Sequence, residues 1–206
     1  MPFPNCDNRA DPANRQKLAT AYTITPVAHV KLLPGQALKG CCGLIKDECY
    51  TFSYSNNSSA ADIGLFSVGS HCAGDFLMLI KKIAPPCFNP LTSASSGGSG
   101  SSSGSSLPAM CSLNREVYQA INLLTLDWGP PKASLQAILI AIAFVPATPI
   151  PVNDVLHLNN IIGKDRHGRT LTAIIAALKG AHPNLRSFTF SNISGMLSQR
   201  GKTSNF

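Results

Sequence analysis

Between residues 127 and 146 the chain reads DWGPPKASLQAILIAIAFVP. Asp127-Trp128-Gly129-Pro130-Pro131 is a hard turn, because consecutive prolines fix φ and withhold backbone donors. Residues 133–145 are then apolar on nearly every side, the pattern of a helix inside a core rather than on a surface. The apolar run 135–145 is broken only by Gln136 and is shorter than the ~20 residues that span a bilayer. Pro146, Pro149 and Pro151 stop it. A buried helix behind a tryptophan turn therefore anchors the second half of the chain.

On the C-terminal side, residues 171–179 predict another helix, with Gly180 as its stop signal and Pro183 beyond. Residues 197–206 are mostly polar and predict a frayed tail. On the N-terminal side the texture changes. Residues 93–106 are almost wholly Ser and Gly, bury no apolar surface and predict a flexible insert. Ahead of them, 84–90 is a proline-rich extended segment unsuited to a central ladder. Residues 27–33, 49–54, 63–68 and 76–80 mix β-branched, aromatic and polar residues and predict four strands of an antiparallel meander, with a turn at 55–59. Asp11-Pro12 reads as the cap and first turn of a short helix.

Charged residues make up 13% of the 206, against ~25% in an ordinary domain, while 44% are apolar, enough for a sizeable core. The formal charge of +7 suits an acidic partner. The charges are scattered, so a dedicated nucleic-acid surface, whose basic residues cluster, is disfavoured. Lys164, Arg166, Arg169, Lys179 and Arg186 are the residues a basic interaction protein would use. Seven cysteines, an odd number, argue against a closed disulfide framework. The opening MPFPNCDNRADP has no apolar signal core, so a reduced cytoplasmic or nuclear setting is expected.

Cys41, Cys42, Cys49, His71, Cys72 and Cys87 bring soft ligands into the first half. Zinc usually pairs its ligands two to four residues apart. No C-x-x-C occurs and adjacent Cys41-Cys42 is a poor chelate, so the expectation is small buried thiols and no metal. Residues 97–104 lack the phosphate-loop pattern, and no G-x-S-x-G accompanies the histidines. Cys111 differs. It is the one cysteine outside the N-terminal half, at the junction of insert and structured chain, where a thiol can be exposed enough for transfer chemistry.

The motifs around Cys111 resemble, in order, those of ubiquitin-conjugating enzymes. Trp128-Gly129-Pro130 resembles the W-x-P turn of that family, and the helix after it, ending in Phe144-Val145-Pro146, resembles the endoplasmic-reticulum tail-anchored branch. The run from Ala73-Gly74-Asp75-Phe76 to Ile80 resembles a G-G-x-F-x-L-x-[IL] strand, and Pro86-Cys87-Phe88-Asn89-Pro90 resembles Y-P-F-x-P-P. Met110-Cys111-Ser112 falls where an [IL]-C-L-S phrase would fall. The likeness spans about 73–151. No H-P-N precedes Cys111; His182-Pro183-Asn184 spells it far downstream. In an alternative register Ala120 takes the cysteine position and the protein is inactive.

The resemblance implies an α+β, UBC-like fold: an N-terminal helix, a four-stranded antiparallel meander, an irregular active-site stretch and C-terminal helices packed on one side. The chain would divide into a first half, 1–92, the insert, 93–106, and a second half, 107–206, with one UBC-like domain over about 11–180 that carries the insert. Cys111 would accept ubiquitin or a ubiquitin-like protein as a thioester from an activating enzyme and pass it, with a ligase, to a lysine. No cofactor and no metal are implied, and Asn114, which follows the cysteine, is not assigned as oxyanion donor. The alternatives are an inactive binding module of the same fold and the basic interaction protein without an enzyme site.

Overall fold

The computed structural model describes residues 3–7, 11, 13–91 and 110–206, so the predicted insert, 93–106, lies outside the described residues. Helix α1 (Asn14–Ala21) runs directly into β1 (Tyr22–Lys31). A short hairpin, β2 (Leu38–Gly40) and β3 (Gly43–Ile45), precedes a long one, β4 (Glu48–Asn56) and β5 (Ser59–Val68), and α2 (Ser70–Ile80) closes the first half. The second half is helical: α3 (Ser112–Trp128), α4 (Ala133–Phe144), α5 (Val152–Ile162), α6 (Leu171–Ala181) and α7 (Ser191–Gln199). β1, β4 and β5 form one antiparallel sheet in that order, and β2–β3 stands as a separate hairpin. Pro26 is tolerated because β1 is an edge strand and bulges between Pro26 and Ala28.

Side chains alternate across a sheet, and here each face feeds a separate core. Phe52, Tyr54, Phe66 and Val68 join Ile24, Leu18 of α1, and Ala73 and Phe76 of α2. The Phe3 ring stacks on Phe66 at 3.8 Å and ties the N-terminal segment to this core. Ala28, Val30 and Cys49 belong to the larger core around α3.

α3 is buried along most of its length, and distant elements supply the partners of two of its buried polar residues, Asn114 and Glu116. Asn114 donates to the Pro146 and Thr148 carbonyls at 3.0 and 2.8 Å and accepts from the Ile150 amide at 2.9 Å. Glu116 accepts from the Asn192 and Ile193 amides at 3.1 and 2.9 Å, placing an anion at the N-terminus of α7.

The α+β class holds, with several changes of element. Residues 76–80 are not a fourth strand but the end of α2. Buried Ala73 and Phe76 and half-buried Leu77 and Ile80 follow the helical spacing i, i+3, i+4, i+7. The stretch from Cys111 to Trp128, expected to be irregular, is a 17-residue helix. The tail is docked rather than frayed: Asn205 carries hydrogen bonds from Leu171 and to Asn159, and the Phe206 ring meets Phe190. Helices α3–α7 do gather on one side of the sheet, while α1 and α2 cover the other.

Candidate metal centre

Gly40-Cys41-Cys42-Gly43 makes the turn between β2 and β3. The Cys41 amide donates to the Ser67 carbonyl at 2.8 Å, which lays this turn on the end of β5. Only glycine fits at 40, because a Cβ there would stand 2.8 Å from the Ser67 carbonyl oxygen and 2.6 Å from Ile45 Cδ1. Gly43, at φ +132°, adopts a backbone conformation that side chains disfavour. Cys72 sits in the first turn of α2, which begins just after β5 and so at the same end of the sheet. The N-terminal segment brings the third contribution, Cys6, which is 0% exposed.

Four sulfurs meet there. Cys6 Sγ lies 2.6 Å from Cys42 Sγ, and Cys72 Sγ lies 3.3 Å from Cys42 Sγ. The sulfurs of Cys6, Cys41 and Cys42 all lie within 4.8 Å of one another, and the Cys6 amide donates to Cys41 Sγ at 3.1 Å. All four are free thiols. Four thiolates around zinc, at ~2.3 Å each, stand ~3.8 Å apart, so a bound ion would spread Cys6 and Cys72 away from Cys42, from the observed 2.6 and 3.3 Å. Arg15 backs the cluster from α1: Nε donates to the Cys6 carbonyl and Nη2 to Cys72 Sγ, both at 3.0 Å, while Nη1 pairs with Asp75. Hydrogen bonds from Cys42 and Cys6 hold the Cys41 thiol well below its ordinary range. Bonding to Cys41 and Cys42 pushes Cys6 up, and burial together with Cys42 pushes Cys72 up to about 11.

This corrects the expectation of small buried thiols. Cys49 is one, but Cys41, Cys42 and Cys72 are half-buried and converge. Cys6 escaped the local-spacing rule because it lies 35 residues from Cys41. The legible signal was a pair of cysteines between turn glycines and another cysteine opening a helix, not a C-x-x-C.

Cys111 stands elsewhere, as the N-cap of α3, half-buried, with its amide donating to the Pro146 carbonyl at 3.0 Å. Among the described residues no hydrogen bond reaches its thiol, and the Asn114 amide next to it is taken up by the α4–α5 loop. Ala120 is wholly buried inside α3. Trp128 ends α3, and its indole donates to Asp165 at 3.0 Å. Of the five basic residues singled out, Arg169 pairs with Asp127 and Asp165, and Arg186 lies over Phe188 at 4.4 Å, while Lys164, Arg166 and Lys179 are exposed. No helix among the described residues is long and apolar enough to cross a membrane.

Fold and cluster together define an α+β protein with a converging set of soft ligands. The chain belongs to the family described as uncharacterised conserved protein UCP028583, whose model matches residues 7–203. Neither a curated protein nor a solved structure matches it.

Proposed function

We propose that the protein is a zinc-binding domain that holds one Zn(II) on Cys6, Cys41, Cys42 and Cys72. The convergence of four free thiols from three separate chain segments carries this reading. A closed four-thiolate site leaves no coordination position for substrate, so its role is structural. The ion joins the N-terminal segment, the β2–β3 hairpin and α2, which otherwise share only a small core. Co(II) substitution tests it. The four-thiolate charge-transfer absorption should appear, be lost in Cys42→Ser and Cys72→Ser, and persist in Cys111→Ser. A folded protein without that absorption would defeat the proposal.

Modifier transfer through Cys111 is a separate proposal, carried by the family resemblance and by the half-exposed position of this thiol at a helix N-terminus. Incubation with activating enzyme, ATP and ubiquitin or a relative tests it. A reductant-sensitive adduct lost in Cys111→Ala supports transfer, and its absence in folded protein leaves the zinc domain alone.

A further inference from the structure

His29, Glu48 and Cys87 form a second group of metal-ligating side chains, separate from the four thiols. A ring nitrogen of His29, a carboxylate oxygen of Glu48 and Cys87 Sγ all lie within 4.8 Å of one another. We infer that these three residues hold a second divalent ion of the zinc type, with a fourth coordination position open to solvent.

The backbone delivers each ligand. The extended segment around Phe88 runs parallel to the outer edge of β1, with the Phe88 amide donating to the His29 carbonyl at 2.8 Å and the Lys31 amide to the Phe88 carbonyl at 3.0 Å. That pairing sets Cys87 beside His29. Buried Tyr118 of α3 locks both strands from behind: its hydroxyl accepts from the His29 amide at 3.1 Å and faces the Pro86 carbonyl at 3.3 Å. Glu48 comes from β4, two residues before Tyr50, the cross-strand partner of His29. The Tyr50 ring stacks on His29 at 3.9 Å and its hydroxyl donates to Glu48 Oε2 at 3.1 Å. His29 and Glu48 thus stand on strands and Cys87 on an extended segment pinned to β1, each with the supporting contacts that a metal site requires.

The chemistry agrees. Thiolate, imidazole and carboxylate are the ligand types zinc accepts, and two N/O ligands at ~2.0 Å from a tetrahedral ion stand ~3.3 Å apart. His29 Nε2 and Glu48 Oε2 are 3.2 Å apart. The same distance suits a hydrogen bond between them, so metal stoichiometry must separate the two. Cys87 is exposed, and the Glu48 side chain is 29% exposed, so the fourth position faces water, as in zinc sites that keep an open coordination place. Lys31 lies 4.0 Å from Glu48 Oε1 but is engaged with Asp47 at 2.5 Å.

Zinc titration of the full chain, with a competing chelator and native mass spectrometry, tests the inference. Two equivalents are expected. Cys87→Ser and Glu48→Gln, both at partly or fully exposed side chains, should each remove one equivalent and leave the four-thiolate absorption of the Co(II) form intact. A single equivalent that is lost in Cys42→Ser and kept in Cys87→Ser overturns this inference and leaves the four-thiol site standing. A single equivalent with the opposite dependence supports it and removes the four-thiol site. A second equivalent that survives both Cys87→Ser and Glu48→Gln, or no bound zinc in folded protein, also overturns it.

Discussion

Arg15 donates from Nη2 to Cys72 Sγ at 3.0 Å, and its side chain is 6% exposed. A zinc ion on four thiolates carries net negative charge, and a buried guanidinium bonded to one sulfur offsets part of it. Arg15→Met keeps much of the packing stem and removes the charge. Zinc affinity measured by chelator competition should fall about 10–100-fold, the usual cost of losing a group that supports a ligand, with the stoichiometry unchanged. Unaltered affinity would show that Arg15 serves only to tie α1 to Asp75 and the Cys6 carbonyl.

The second half stands on α4 packed against α3. Ile138 and Ile142 lie on its inner face, 2% and 1% exposed. Ile142→Ala should cost about 2–5 kcal/mol by leaving a cavity. Ile138→Asp would bury an unpaired charge and should unfold the domain. Denaturant melts that match wild type for both variants would place α4 at the surface.

Where the sequence signal was local, it was readable. Residues 133–145 and 171–179 were legible as helices because their apolar character is continuous and glycine or proline marks their ends; they became α4 and α6. α3 was hidden because Asn114, Glu116 and Asn122 interrupt its apolar pattern. Asn114 and Glu116 are buried there only because a loop and the start of α7, distant in the chain, supply partners. α2 read as a strand because Phe76 to Ile80 is a short apolar run, which periodicity alone does not assign. The four-thiol cluster was legible only in pieces, for the same reason as α3. Cys6, the Cys41-Cys42 pair and Cys72 look unrelated until the Gly40 contact with β5 folds the hairpin onto the start of α2.

Acid should act where the end of α3 meets the loop between α5 and α6. The Arg169 guanidinium, joined by the Arg169 and His167 amides, holds the Asp165 carboxyl well below the usual carboxylate range. A carboxyl depressed in the folded state contributes stability that is complete above its unfolded value, ~3.9, and drains away as pH falls through the folded value. Asp165→Asn should therefore be less stable than wild type at about pH 7, and the gap should narrow at about pH 3. Trp128, the chain's one tryptophan, donates to the same carboxylate, so its emission reports the change. A gap that stays constant with pH would mean that Asp165 matters through packing rather than charge.

The thiol cluster makes a prediction about protons. Cys41, lowered by its hydrogen bonds from Cys42 and Cys6, is the readiest of the four to give up its proton. Cys6, Cys42 and Cys72 are all pushed above the ordinary thiol range, so near neutrality they carry their protons. Zinc takes a cysteine only as its thiolate, so binding at this cluster must expel what the other three hold: about three protons for the ion held there. Calorimetric titration in buffers of different ionisation enthalpy measures that number directly. Cys72→Ser removes one raised thiol and should lower the release by about one proton. Zinc affinity should also climb steeply with pH, because each proton expelled adds its own dependence. Release of one proton or fewer would mean that the cluster is ionised before zinc binds or that fewer sulfurs take part. A parallel thiol count on the metal-loaded protein separates those cases, since thiolates held by zinc react slowly and those left out react at once.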